Sequence, residues 1–377
     1  MKYIEEFRDP ELAQNLAKRI AEAVEPGRDY AFMEFCGGHT HAIARYGVED
    51  LLPENIRMIH GPGCPVCVLP VARVDKAIAL ATDHDVILCT YADLMRVPGS
   101  KFDSLIKARS RGADIRMVYS VTDALRIAEE NPERQVVFFA IGFETTTPPT
   151  AVALRLAKAK GLKNFSVHCN HVLTPAAMRA ILGAPGEATR ITIDGFVGPS
   201  HVSAVIGMQP YHEFTEDYAK PVVIAGFEPL DVMQAILQLV NQVNEGRADV
   251  ENEYARAVTE DGNKKAITLM DEVFVLRDSF EWRGLGSVPQ SALKIAPAYT
   301  EFDAELRFDI QTEPPRENKA CACGDVLRGE KTPEQCKLYG DPCTPENPLG
   351  ACMVSSEGAC AAQWTYGRFR QQDLVAE

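Results

Sequence analysis

No apolar stretch of this 377-residue chain approaches the roughly 18 residues that cross a membrane, and the opening "MKYIEEFRDPELAQ" lacks the apolar core of a signal peptide. The expectation is a cytoplasmic protein with no membrane partner. Basic residues are in short supply, 39 against 53 acidic ones, and the formal charge of -14 removes the electrostatic drive for binding nucleic acid. Neither a P-loop lysine motif nor GxGxxG occurs, which leaves nucleotide binding without support. The CxxxCxxC run of radical enzymes is missing, and the single CxxC has no second pair with which to complete a tetrahedral zinc site. With 46% hydrophobic and 24% charged residues the composition is that of a globular protein, and the length allows two or three domains whose cores need no covalent staples. Eleven cysteines in a reducing compartment therefore point to metal binding or redox chemistry, with some packed simply as core residues.

The segment from Pro10 to Val24 places Leu12, Leu16, Ile20 and Val24 four apart, one helical stripe opened by a proline. Short apolar runs follow, among them "YAFMEF", "IRMIH", "DVILCTY", "QVVFFAIGF", "FSVHC" and "PVVIAGF", separated by segments of helical period. This alternation predicts an α/β fold with parallel sheets. Three landmarks recur in order at a separation of roughly 135 residues: "FMEFC" and "FSVHC", "HGPGC" and "VGPSH", "ILCTYADL" and "VIAGFEPL". They suggest a duplicated α/β unit, one copy at residues 28–125 and the second at 126–235. The remainder, 236–377, is expected to form a Cys-rich C-terminal domain packed with the N-terminal helix of residues 1–27. Its last sixty residues are too poor in aliphatics to order themselves without a metal or a neighbour.

In parallel sheets the carboxyl ends of the strands share one edge, where ligands bind. Cys36, His39, Cys64, Cys67 and Asp93, each just beyond a strand, are therefore expected to meet at one mouth. Gly37 and Gly38 let the backbone turn and leave Cys36 just before a helix start, whose positive end favours a thiolate able to act as nucleophile or soft metal ligand. His39 is the candidate proton carrier; His41, two residues on, points elsewhere and caps or packs. Cys64 and Cys67 admit three roles: disulfide exchange, metal ligation, or bracing a loop. Pro65 and Pro70 stiffen the turn in a way that suits a cycling dithiol. Asp93 would orient His39 or accept protons, or else be a solvated loop residue. Glu144 and Glu228 end strands of the second unit, as cleft residues or helix caps. His168, His171 and His201 occupy the matching place in the second copy, which keeps only Cys169 and reads as a scaffold without the chemistry.

Near the C-terminus, setting aside Cys321 and Cys352 leaves Cys323, Cys336, Cys343 and Cys360 at intervals of twelve, six and sixteen residues. The spacing fits neither a ferredoxin run nor a zinc ribbon, yet four thiolates are what an iron-sulfur cluster takes; zinc is the competing occupant. "SSEGACAAQW" reads as a capped helix start with Glu357 and Cys360 on one face. Glu357 is then a local acid or base, or a first-turn glutamate favoured by the helix dipole.

Taken together, "FCGGHTHAI", "HGPGCPVCVLP", "DLMRVPG", "GFETT", "AGFEPLD", "EWRGLG" and "MVSSEGACAA" resemble the HypD family of hydrogenase maturation factors, in the same order from "YIEEFRDP" to the last cysteines. The resemblance implies a scaffold with redox activity, on which the iron centre of nickel-iron hydrogenases acquires two cyanides and one carbon monoxide in complex with the small chaperone HypC. It implies HypE as cyanide donor, charged by HypF, and the hydrogenase large subunit as an indirect partner. It further implies two related α/β domains and a third carrying a 4Fe-4S cluster on Cys323, Cys336, Cys343 and Cys360, with Cys321 and Cys352 outside that quartet. Cys64 and Cys67 match the redox pair, and Cys36 matches the thiolate that holds the transient iron. A reading of a different kind is a general thiol-disulfide oxidoreductase using a 4Fe-4S cluster, with Cys36 a resolving thiol; a zinc-stabilised binding module is a third.

Overall fold

The computed structural model describes residues 5–187 and 189–367. Tyr3 and Ile4 of the opening motif, and the outermost parts of the expected 1–27 and 236–377 segments, lie outside the described residues. Helix α1 (Pro10–Ala23) starts where its sequence dictates. The Asp9 side chain accepts the backbone N–H groups of Glu11 and Leu12 at 2.8 and 3.1 Å, and Pro10 fills the first turn, where no N–H is needed. Its inner stripe buries Ile20 completely among Val232, Ile236 and Val240 of the helix Pro229–Asn244, a burial that contributes roughly 2–3 kcal/mol. Helix α1 thus packs, through Ile236 and Val240, on the start of the expected 236–377 segment, where that segment covers the first sheet.

Nine strands build two parallel sheets: β1 (Tyr30–Glu34), β2 (Ile56–His60), β3 (Ile87–Thr90), β4 (Ile115–Met117), β5 (Val136–Gly142), β6 (Phe165–His171), β7 (Gly195–Pro199), β8 (Val222–Ala225) and β9 (Val250–Asn252). The first sheet runs β2-β1-β7-β8-β9 and the second β4-β3-β5-β6. Strands β5 and β6 are buried at every position, as continuous apolar runs in a parallel sheet covered on both faces should be. The α/β class and the parallel sheets are as expected.

The division into consecutive halves is not. Residues 28–125 give β1 and β2 to the first sheet but β3 and β4 to the second; residues 126–235 give β5 and β6 to the second and β7 and β8 to the first. The second sheet is therefore inserted between β2 and β7 of the first. Both sheets follow one plan: a central strand, the next strand on one side of it, the third on the other side, the fourth beyond the third. The likeness is nested rather than tandem. "ILCTYADL" lies on β3 and "VIAGFEPL" on β8, in different sheets, because buried parallel strands share a Val- and Ile-rich composition whatever sheet they join.

One core runs through both sheets: Met33 and Ile59 of the first, Leu88, Val137 and Phe139 of the second, and Cys323, Cys343 and Met353 of the C-terminal segment pack in the same cluster. Two antiparallel ribbons, Phe274–Leu276 with Leu293–Ile295 and Ser279–Trp282 with Gly286–Pro289, lead into that segment. Among the described residues no helix is long and apolar enough to cross a membrane.

Candidate functional site

In the first sheet the chain leaves β1 toward β2 and leaves β7 toward β8, so the connections part between two neighbouring strands and open a crevice at their carboxyl ends. Cys36 follows β1 and His201 follows β7. The Cys36 sulfur lies 3.5 Å from His201 Nδ1 and 3.8 Å from Nε2. Cys36 caps helix α2 (Gly37–Tyr46), its Sγ accepting the Gly38 N–H at 3.3 Å. The helix starts at the glycine pair, yet the expected thiolate is not favoured. Burial pushes the Cys36 thiol well above its ordinary range and Glu357 adds to the effect, against a smaller opposing pull from the Gly38 N–H.

Burial lowers the His201 pKa to about 4, so its imidazole is neutral at physiological pH. The Phe227 ring separates His201 from His39, with centroid distances of 5.1 and 4.8 Å. His39 is fully buried and uncharged, burial lowering its pKa, and its Nε2 bonds to the carbonyls of Ala225 and Gly226 at 3.1 and 3.0 Å. It therefore ties α2 to the end of β8 and is oriented by those carbonyls, not by Asp93. His41 packs outward, on the Ser356 carbonyl at 3.4 Å and edge-on to Tyr366.

Sequence reasoning missed Glu34. It closes β1, is fully buried, and accepts the Cys36 N–H at 2.8 Å on one oxygen and the Thr40 hydroxyl and His60 Nδ1–H (3.0 Å) on the other. Burial opposes protonation of His60, but the hydrogen bond and charge of Glu34 outweigh it and raise the imidazole's pKa. The available signal was a carboxylate ending an otherwise apolar strand, since a buried charge needs partners.

Beyond β2 the chain folds back over Cys36. The Gly37 N–H meets the Gly63 carbonyl at 3.4 Å, and Gly63 sits so close that a Cβ would overlap the backbone of Phe35 and Cys36. Cys64 then caps the short helix α3 (Pro65–Val68), accepting the Cys67 N–H at 3.3 Å. Cys64 and Cys67 are paired as a disulfide, their Cα atoms 5.3 Å apart. Asp93 opens a short turn of helix after β3 and stands close enough to Glu357 to raise its pKa, adding to the larger effect of burial. Glu357 presses on Gly37, its Oε2 2.9 Å from where a Cβ would stand. It is not on a helical face with Cys360, as expected: the helix begins at Ala359 behind Gly358, and Glu357 lies in the preceding turn.

Cys36, the Cys64–Cys67 loop, Asp93 and Glu357 are thus gathered at one mouth, with His39 behind it. A solvent-open cleft of about 510 Å³ reaches His201 and Glu357 between walls that include Arg8, Arg45, Tyr46 and Phe227. His201 belongs to this site rather than to an idle copy. Cys169, by contrast, is a core thiol bonded to the Leu293 carbonyl, and His168 and His171 are buried in the second sheet. Glu144 and Glu228 cap the helices that begin at Thr174 and Pro229, and Glu228 also pairs with Arg8 at the cleft wall.

The six C-terminal cysteines lie together. Cys321 and Cys352 lie close enough to Cys323 to pull its pKa well below the ordinary range, and Cys360 close enough to Cys352 to help raise that thiol's; the Cys336 and Cys343 sulfurs accept the N–H groups of Ala322 and Leu349 at 3.5 and 3.4 Å. Five are buried and Cys321 is partly exposed. No group of three His, Cys, Asp or Glu side chains poised to hold a metal ion exists among the described residues. The donor chemistry, soft sulfur in a buried loop-rich segment, nevertheless fits an iron-sulfur cluster. The geometry places Cys321 and Cys352 within the group, so it does not single out the expected quartet.

The profile of the HypD family, the hydrogenase formation hypA family, matches residues 11–367. The chain is 65% identical to hydrogenase maturation factor HypD2 of Bradyrhizobium diazoefficiens, covering 98% of each chain. It is 64% identical to HypD of Cupriavidus necator and 45% identical to HypD of Escherichia coli K12, each over the full length of both chains. This chain belongs to the HypD family of hydrogenase maturation factors.

Proposed function

We propose that the protein holds a single iron at Cys36 while two cyanides and one carbon monoxide are attached to it, in complex with a HypC-like chaperone that supplies a second thiolate. The observation that carries this reading is the meeting of a buried thiol, a neutral imidazole and a disulfide-bearing loop at one strand-end crevice, with a solvent-open cleft that reaches the imidazole. The iron is cargo, and a low-spin iron with strong-field ligands takes soft sulfur donors. Glu34 and the Gly38 N–H fix the Cys36 sulfur, and His201 faces it as an uncharged hydrogen-bonding partner. Glu357, its pKa raised by burial, exchanges protons at the mouth. The Cys64–Cys67 disulfide is the oxidised member of a two-electron, two-proton couple whose reduced form is the dithiol. HypE, charged by HypF, is the cyanide source, and the hydrogenase large subunit receives the product.

Cys323, Cys336, Cys343 and Cys360 would hold a 4Fe-4S cluster, which when bound supplies single electrons. Iron and sulfide analysis of the six individual Cys→Ser variants assigns the ligands, Cys321 and Cys352 included. The main test is infrared spectroscopy of the anaerobically purified complex with the chaperone. Cyanide and carbonyl stretches are expected, and they vanish in Cys36→Ala. Their absence from the intact complex favours the second reading, a thiol-disulfide oxidoreductase, which rests on the same disulfide lying beside a free cysteine.

A further inference from the structure

The site above uses Glu34 to fix Cys36 and gives His60 no task. Glu34 is a fully buried carboxylate whose Oε2 holds the Cys36 N–H at 2.8 Å, and His60 is the one basic group paired with it among the described residues, Nδ1 to Oε1 at 3.0 Å. The Thr40 hydroxyl shares Oε1 but brings no charge. A buried charge needs a compensating one, and here only His60 supplies it.

His60 stands on a boundary. Its side chain is 19% exposed, whereas that of Glu34 is closed to solvent. Its ring lines a groove of about 290 Å³ between β2 and the turn Pro333–Gln335, and this groove shares no lining residue with the cleft that reaches His201. Glu49 and Glu334 face the ring and, with Glu34, favour its cationic form. The groove's other charges are Arg57 on β2 itself, Lys331, which pairs with Asp325, and Glu330, which pairs with Arg328. Solvent protons thus reach His60 along β2 without passing the thiol. The charge of Glu34 pushes the Cys36 thiol upward. A cationic imidazole on the carboxylate's other oxygen offsets that push, and a neutral one does not.

We propose that His60 is a positioning residue for the Cys36 thiol, its imidazolium holding Glu34 on the Cys36 N–H and offsetting the carboxylate's charge, so that the groove along β2 governs the thiol's reactivity. Its bearing on iron assembly rests on the role proposed above for Cys36.

The test is the rate of Cys36 alkylation by iodoacetamide, an uncharged probe, in the full-length, anaerobically purified protein between about pH 6 and 9, read by mass spectrometry of the Cys36 peptide. The rate follows the thiolate fraction. In the parent it should climb with pH, flatten where His60 loses its proton and the offsetting charge with it, and climb again. His60→Gln keeps a hydrogen bond to Glu34 but carries no charge. It should react about tenfold more slowly than the parent below the flattening and equally fast above it. His60→Lys, which returns the charge, should recover the faster rate. Glu357, which also acts on the thiol, does so alike in all three proteins. Should a variant fail to fold, as circular dichroism would show, the parent's profile decides alone, because a histidine that merely packs produces no flattening. Coincident profiles for the parent and His60→Gln, or a parent profile that climbs without flattening where carbon-13 NMR shows His60 titrating, overturn the proposal. The expected profiles together with no cyanide or carbonyl stretches in the parent complex support His60 in this role and count against iron at Cys36.

Discussion

Cys36 sits in surroundings without fixed positive charge, a neutral imidazole, a carboxylate behind it and a second at its mouth, which keep its proton on until, on the proposed function, iron replaces it. The sequence pointed to Cys36 through the two glycines that follow it. It could not point to His201, because their contact spans 165 residues and exists only where β7 lies beside β1. Glu144 offers a separate check on buried charge. Burial raises its pKa to about 7, while the unfolded chain releases that proton near pH 4.3. The folded state thus keeps a proton that the unfolded state loses, and stability falls as pH rises between those values, by about 4 kcal/mol in all. Glu144→Gln, whose amide oxygen still accepts from Thr174, should therefore be more stable than the parent at pH 8 and lose that advantage toward pH 4. Urea unfolding across this range measures it; an unchanging gap contradicts the assigned burial.

Elements that depend on local chemistry were legible. Pro10 and the stripe from Leu12 to Ile20 announce α1, the glycine pair announces α2, and the alternation of apolar runs with helical periods announces parallel sheets. The helix near Glu357 was misplaced because Ser355 and Ser356 look like caps, whereas Gly358 holds that position. The Cys-rich segment is legible in a different sense: its short helices and loops carry few aliphatics, so the sulfurs must supply much of its order. Replacing Cys336 and Cys343 together by serine should speed amide exchange about tenfold or more across residues 321–367 while leaving β1 and β5 protected. Equal loosening of the sheets would show that the segment is not a separate cooperative unit.

At the scale of the molecule, composition could not reveal that one sheet is inserted into the other, because strand membership is set by neighbours far along the chain. The core that Met33, Ile59, Leu88 and Phe139 share joins the two sheets, and each sheet packs a second cluster on its other face. Thermal unfolding should accordingly show one transition in near- and far-ultraviolet circular dichroism. Phe139→Ala, at a cost of about 3–5 kcal/mol, should shift that transition without splitting it; two separate steps would contradict the shared core. The nesting also has a consequence for synthesis. Cys36 leaves the ribosome early, and His201 follows only after the whole inserted sheet has been translated, on the order of ten to thirty seconds later at usual elongation rates. Throughout that interval the nascent thiol lacks its imidazole neighbour and the enclosure that keeps it protonated, so the window for stray oxidation or capture of the wrong metal opens on the ribosome and closes when β7 docks.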